Sequence, residues 1–336
     1  MAILAVRWLL LGVAAIGCGK LAPPGGGNSN LPASGAGPYQ LLAANDDSPI
    51  DEPLVLSDAS ADLDDAWALG DGDTLEVWIT YRRGKTSEIR RAQLPSVEQG
   101  ASELETALSA SASWQQGIVS QPSVLRGHGG HPWLLFYSGG GDPARAIGCA
   151  TSPDGQSWSD APAPVLIPTS EEQSLSSPAA VELPGGRIRL FYLAPGGLRA
   201  AEGDRAALEN GAPLPLSRFD PNPSTATIDP ILAPGAATWL PTIGRVTART
   251  LTTAAHRVRY DLFLTGLAET SGGAVRTVGL AASYDAERFS VASAPFVTPR
   301  KPELWAPTVV AYRNGSLLLA TQQKGARSAI VGAISP

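Results

Sequence analysis

Residues Ser120–Trp158 read SQPSVLRGHGGHPWLLFYSGGGDPARAIGCATSPDGQSW. Three short apolar runs stand out in them, Ser123–Leu125, Trp133–Tyr137 and Ile147–Thr151, parted by Gly-rich and Pro-containing segments. Runs of this length and composition predict strands, and the glycines and prolines between them predict turns. The Ser-Pro-Asp-Gly turn before Trp158 closes the unit, which is an antiparallel meander.

Its most apolar run recurs as Leu75–Tyr81 (LEVWITY), Ile188–Tyr192 (IRLFY), Tyr260–Leu264 (YDLFL) and Leu317–Thr321 (LLLAT). The small-residue run that follows it recurs from Ile89 (IRRAQ), Leu198 (LRAAEG), Val278 (VGLAAS) and Ile330 (IVGAIS). A preceding strand is headed by a proline in Gln-Pro122, Ser-Pro178, Leu-Pro241 and Ala-Pro307. Five copies of one meander predict an all-β fold, a five-bladed β-propeller.

A fourth, proline-led segment follows the meander at Pro164 (PVLI), Pro213 (PLPL) and Pro295 (PFVT). No such segment follows the fifth copy, but one precedes the first, at Pro53 (PLVL). The N-terminal segment is therefore expected to supply the outer strand of the last blade and so remove the open edge of the ring. In the first copy Ala101–Ala112 reads equally as strand or short helix.

Residues 49–336 form the expected propeller. With 43% hydrophobic and 17% charged residues, 36 glycines and 29 prolines, the chain suits a core with many turns. A net charge of -6 gives no support for nucleic-acid binding. Residues 1–17 read as a leader: Arg7 precedes the apolar run WLLLGVAAIG, which is short for a membrane span. Ala15-Ile16-Gly17-Cys18 resembles the bacterial lipobox, which implies acylation of Cys18 and an N-terminal lipid anchor; an ordinary leader or a buried apolar segment is the alternative. Residues 18–48 are rich in Gly, Pro, Ser and Ala and read as a tether reaching roughly 30 Å. The expected location is the cell envelope, at the outer membrane or cell surface. Cys149, in a third strand, has no partner left if Cys18 carries lipid, and reads as a small core residue.

The innermost strands of a propeller surround its channel, so the heads of the first strands give the candidate ligand-binding residues. Asp65 stands as far before Tyr81 as Gln121 stands before Tyr137. The matching places in the other copies are Ser176 with Ser177, Leu240 with Trp239 beside it, and Ala306 with Trp305 beside it. Asp65 could alternatively cap a turn in its DLDD context. Trp239 and Trp305 could stack on sugar rings or pack between blades.

The runs Pro-Ser-Val, LLFYSG and IGCATSPDGQSW resemble blades of the five-bladed glycosidase propellers, glycoside hydrolase family 43 with families 32, 62 and 68. The Ser152–Trp158 turn is similar to the sialidase Asp-box, though one residue short. The resemblance implies a base or nucleophile from blade one, an aspartate from blade two and a glutamic acid from blade three. Asp65 matches the first. Gln121 and Ser176-Ser177 occupy the other two places, and neither side chain transfers a proton usefully near neutral pH. Glycoside hydrolysis needs two carboxyl groups, so the expected activity is binding of a glycan or an envelope protein without hydrolysis. The alternative is an active glycoside hydrolase with Asp65 as base and a relocated acid such as Glu303, or Glu171 or Glu172. No cofactor is implied. His128, His131 and His256 lie in turns without metal-ligand spacing.

Overall fold

The computed structural model describes residues 40–41, 56–71, 74–95, 101–141, 145–211, 215–225, 227–270, 273–297, 303–312, 315–324 and 326–335. The expected leader, Cys18 and the tether up to residue 39 lie outside them, as does Pro53. Among the described residues there are five four-stranded sheets, all antiparallel. Blade one runs Asp62–Asp71, Thr74–Arg83, Thr86–Leu94 and Glu105–Leu108. Blade two runs Val119–Leu125, Trp133–Gly139, Ala146–Ser152 and Ser159–Asp160. Ser176–Leu183, Arg187–Ala194, Gly197–Asp204 and Ser217–Phe219 make blade three, and Ile243–Thr252, Val258–Thr270, Gly273–Ser283 and Ser290–Val291 make blade four. Blade five consists of Leu304–Tyr312, Gly315–Lys324 and Arg327–Ser335, with Gln40–Leu41 on its outer edge. Each inner strand packs on the next and the last on the first, which closes a ring.

The second strands are apolar without alternation because each blade is covered on both faces by its neighbours. Leu134 to Gly139 are buried without a break, as are Ile188 to Leu193. Third strands need small residues for a related reason. A Cβ on Gly148 would lie 2.2 Å from the Tyr137 ring, and one on Gly279 would lie 2.3 Å from the Trp239 indole. Aromatic side chains lie flat against the third strand there, where a methyl group has no room.

One apolar pair repeats in every blade. Ile89, Ile147, Leu198, Val278 and Ile330 of the third strands bridge to Leu108, Leu166, Leu232, Val297 and Leu56. Leu166 and Val297 come from the proline-led segments read in the sequence, and Leu56 from the N-terminal one. Leu56 exchanges two backbone hydrogen bonds with Ile330, of 3.3 and 3.0 Å. The ring is thus closed by the N-terminal segment, and Gln40–Leu41, within the stretch read as tether, adds to the same edge. Two details differ from the sequence reading. In blade three the bridge is made by Leu232, after Pro230, and the outer strand is Ser217–Phe219, just beyond the proline-led segment at Pro213. In blade one Glu105–Leu108 is a strand and not a helix, since Leu108 has to cover Ile89.

Candidate functional site

Each inner strand begins with an irregularity. In blades one, two, three and five, two residues oppose one on the second strand: Asp65-Ala66, Gln121-Pro122, Ser177-Pro178 and Ala306-Pro307. Such a bulge turns its first residue out of the ladder. Asp65, Gln121, Ser177 and Ala306 all have positive φ, from 49° to 58°. Proline suits the second place because no ladder hydrogen bond is lost there. Blade four inserts only Gly244, between Ile243 and Arg245. Register with Phe263 then makes Arg245 the counterpart of Asp65, with Val246 in the proline position.

Asp65, Gln121, Ser177, Arg245 and Ala306 converge on one space of about 10 Å³. That is no more than a single water requires. The backbone amides of these turns are satisfied across blade boundaries. Asp65 N–H donates to Thr321 Oγ1 (3.1 Å), Gln121 N–H to Thr80 Oγ1 (2.8 Å) and Ala306 N–H to Thr265 Oγ1 (3.0 Å). Ser177 N–H donates to Gln121 Oε1 (2.6 Å), which also accepts from Ser138 Oγ (2.8 Å). Val246 N–H donates to Ser177 Oγ (2.9 Å). A closed belt of hydrogen bonds therefore joins all five blades at the narrow end of the channel. Each bond contributes about 1 kcal/mol, and more would be lost by leaving its buried donor unpaired.

Within the belt, Arg245 Nε donates to Asp65 Oδ1 at 2.7 Å, and Thr80 Oγ1 donates to Asp65 Oδ2 at 3.3 Å. The carboxylate is buried, while the guanidinium side chain keeps 28% of its exposure. Positive φ does not by itself mark a reacting group here, because Ala306 and Ser177 share it with Asp65.

The remaining candidates scatter. Ser176 precedes the bulge and pairs with Leu193. Trp239 and Leu240 do not reach the channel: both are buried, and the Trp239 indole packs on Gly279 and donates to Ala292 O at 2.7 Å. Leu-Pro241 resembles the other strand heads but lies in the loop before blade four, and Arg245 takes the channel place. Trp305 is half-buried beside Ala306, with the Arg276 guanidinium 4.5 Å above its ring. Glu303 lies 3.6 Å from Arg276 and is not among the residues lining the narrow space. Glu171 is exposed.

Burial by itself raises the carboxyl of Glu172, but hydrogen bonds from Arg218, Tyr192 and the Thr169 amide outweigh it and hold the group below its ordinary value. It is thus unsuited to donate a proton. Asp64 moves the other way: burial first, then the adjacent Asp65 charge, push its carboxyl up to about 6. Burial likewise raises the Cys149 thiol, an inert core group. His128 and His131 reach Glu182 (2.8 Å) and Glu209 (2.9 Å) from their exposed hairpin. No three His, Cys, Asp or Glu side chains among the described residues are placed to hold a metal ion.

No protein-family model matches the chain, and no curated protein does. Solved structures do. A structure described as a glycoside hydrolase superposes with a TM-score of 0.62 at 16% identity, over 84% of this chain and 90% of that one. One from work on the GH130 family of mannoside phosphorylases, which contains glycoside hydrolases targeting β-1,2-mannosidic linkages in Candida mannan, gives 0.59 at 11% identity, over 82% and 85%. The catalytic domain of the Coprinopsis cinerea GH62 α-L-arabinofuranosidase gives 0.55 at 12%, over 84% and 95%. The fold is a five-bladed propeller of the glycoside hydrolase type.

Proposed function

We propose that this propeller binds and does not cleave: an envelope lipoprotein, acylated at Cys18, that holds a glycan or an envelope protein against the face carrying the belt. The observation that carries this reading is the occupancy of the five strand heads. Only Asp65 bears a carboxylate, and Arg245 neutralises it at 2.7 Å. Cleavage of a glycosidic bond needs one group to protonate the leaving oxygen and another to attack or activate water. A narrow space of about 10 Å³ does not admit a sugar ring. Contact would be made over the face, with the half-buried Trp305 offering an aromatic edge.

A hydrolytic reading, with Asp65 as base and Glu303 or Asp64 as acid, has one observation in its favour. Burial, and then the charge of the adjacent Asp65, push the Asp64 carboxyl up to about 6, the direction a proton donor needs. One experiment separates the two. The full-length chain carrying Cys18→Ala is assayed for reducing-sugar release on a panel of polysaccharides, with Asp65→Asn in parallel, and then applied to a glycan array. The binding reading expects no release and retention on an array glycan that weakens in Trp305→Ala. Release that disappears in Asp65→Asn would overturn it in favour of hydrolysis. Lipidation is checked separately: wild type should partition into detergent and Cys18→Ala into the aqueous phase.

A further inference from the structure

Beyond the belt the channel widens to a cavity of about 470 Å³, within the range of binding sites. Every inner strand begins at the belt and runs away from it, so the cavity opens on the opposite face of the molecule and ends blindly at the belt. In each blade the inner strand is the edge of its sheet and is bonded on one side only. A residue of an antiparallel strand points its N–H and C=O to one side, and the next residue points them to the other. Alternate residues of the five inner strands therefore turn their peptide groups away from the ladder, toward the channel.

In blade four, bonds at both ends of the strand fix which residues these are. Val246 N–H donates to Ser177 Oγ (2.9 Å) and Val246 O accepts from it (3.2 Å), so Val246 faces away from the ladder. At the far end Thr253 N–H donates to Arg257 O at 2.9 Å, on the ladder side. The register between them is unbroken, so Ala248 and Thr250 share the orientation of Val246. In blade five Pro307 O accepts from Thr247 Oγ1 at 2.6 Å, and Val309 follows two residues on. Elsewhere the protein covers such groups itself: Trp67 Nε1 donates to Val124 O (3.0 Å), and Ala180 N–H donates to Ser123 Oγ (2.9 Å). Among the described residues nothing bonds the outward peptide groups of Ala248, Thr250 or Val309. All three residues line the cavity.

We propose that the wide end of the channel receives a short extended segment of a partner protein, which adds as a strand to the free inner edge of blade four. Ala248 and Thr250 present donor and acceptor pairs about 7 Å apart, the repeat of every second residue in an extended chain. An added strand reads that repeat, and its main-chain bonds supply the affinity. The side walls are made by Ala68, Ala180 and Ala248, with Trp67 and Val124 nearer the belt. Room and polarity there suit small, uncharged side chains, since a charge set against apolar walls loses its hydration. The site lies at the other end of the channel from the belt and does not depend on whether the belt face binds a glycan.

The test uses the full-length chain carrying Cys18→Ala, titrated with N-acetyl-trialanine amide, with the same peptide methylated on its three alanine nitrogens, and with glucose. The first peptide should saturate at one per chain, and the methylated one, which cannot donate, should bind at least tenfold more weakly. Amide exchange at Ala248 and Thr250, followed by nuclear magnetic resonance, should slow at least tenfold at saturation. Thr250 is exposed, and its N–H lies outside the ladder, so Thr250→Pro should weaken the peptide at least fivefold with the melting temperature unchanged. Equal binding of the methylated peptide, unchanged binding in Thr250→Pro, or no saturable peptide binding would each overturn the proposal. A lower melting temperature in Thr250→Pro would place that N–H in the ladder and sink the edge assignment. Saturable glucose binding that Thr250→Pro weakens, with none of the peptide, would replace the partner strand by a small polar ligand.

Discussion

Thr80 accepts the Gln121 amide and donates to Asp65, so one hydroxyl both ties blade one to blade two and orients the carboxylate. The register counterparts of Thr80 are Ser138, Leu193, Thr265 and Thr321, two places beyond an aromatic or leucine on the second strand. Four of the five carry a hydroxyl. Where blade three has Leu193, Ser177 supplies the acceptor instead. That signal is present in the sequence but weak, since Thr and Ser abound in strands; only the register of both hairpins reveals it. Asp64 offers a prediction at this scale. Its carboxyl is ordinarily at 3.8 and is raised to about 6 in the fold. The folded state therefore holds this proton more tightly than the unfolded one. Stability from this group is complete below the ordinary value and is lost as pH rises from about 4 through 6. Asp64→Asn should flatten that slope and raise stability at pH 7 by up to about 3 kcal/mol, as read from melting curves between pH 4 and 8.

At the scale of the strand, the second and third strands were legible throughout, because double burial and the need for small residues write themselves directly into composition. The inner strand of blade four was not. Its bulge uses Gly244 and Val246 instead of a proline, while Leu-Pro241 mimics the pattern a few residues early. Asp65 and Gln121 were aligned by an accident of lengths. Tyr81 pairs with Leu63, and Tyr137 stands opposite the bulge, so the two tyrosines are not register counterparts; the longer hairpin of blade two made up the difference. A second Asp-box-like turn also escaped. Ser283, Asp285 and Phe289 repeat the Ser152, Asp154 and Trp158 arrangement, with Asp285 Oδ1 accepting from the Glu287 and Arg288 amides at 2.9 Å. Ala286, at φ 58°, stands where Gly155 stands in the first, so the glycine that marks the motif is missing. The edge of blade five gives a prediction of its own. A chain beginning at Pro38 keeps both closing elements and should melt with wild type, whereas one beginning at Asp58 lacks Leu56 and should melt well below it. Leu56→Ala should cost about 2 kcal/mol, the low end for a buried leucine at an edge, measured by urea unfolding.

Across the molecule, the belt and the apolar pairs make neighbouring blades depend on one another. The large clusters of buried residues cross blade boundaries: one runs from Trp67 and Trp78 in blade one through Phe191 to Tyr260 and Leu262 in blade four, and another joins Leu63 and Val77 of blade one to Leu317 and Ile330 of blade five. A single unfolding transition is expected, with tryptophan fluorescence and far-ultraviolet circular dichroism changing together. Two separated transitions would mean that part of the ring opens alone. The candidate site was less legible than the fold for the same reason. The identity of Asp65, Gln121 and Ser177 could be read, but their closure by Arg245 depends on a residue from the other side of the ring, and neutralisation of a charge is a property of the assembled circle.

The seam between Leu56 and Ile330 is also a mechanical element. Any pull on the chain upstream of Leu56 reaches the propeller at the two hydrogen bonds of that pair and the short Gln40–Leu41 edge, before it reaches any other blade. Tension from the N-terminal side would therefore peel blade five from its outer edge and unlatch the circle at the place where it was last fastened. During synthesis the same segment emerges ahead of the five blades and waits for Arg327–Ser335, so the latch closes only after the last strand of blade five has been made.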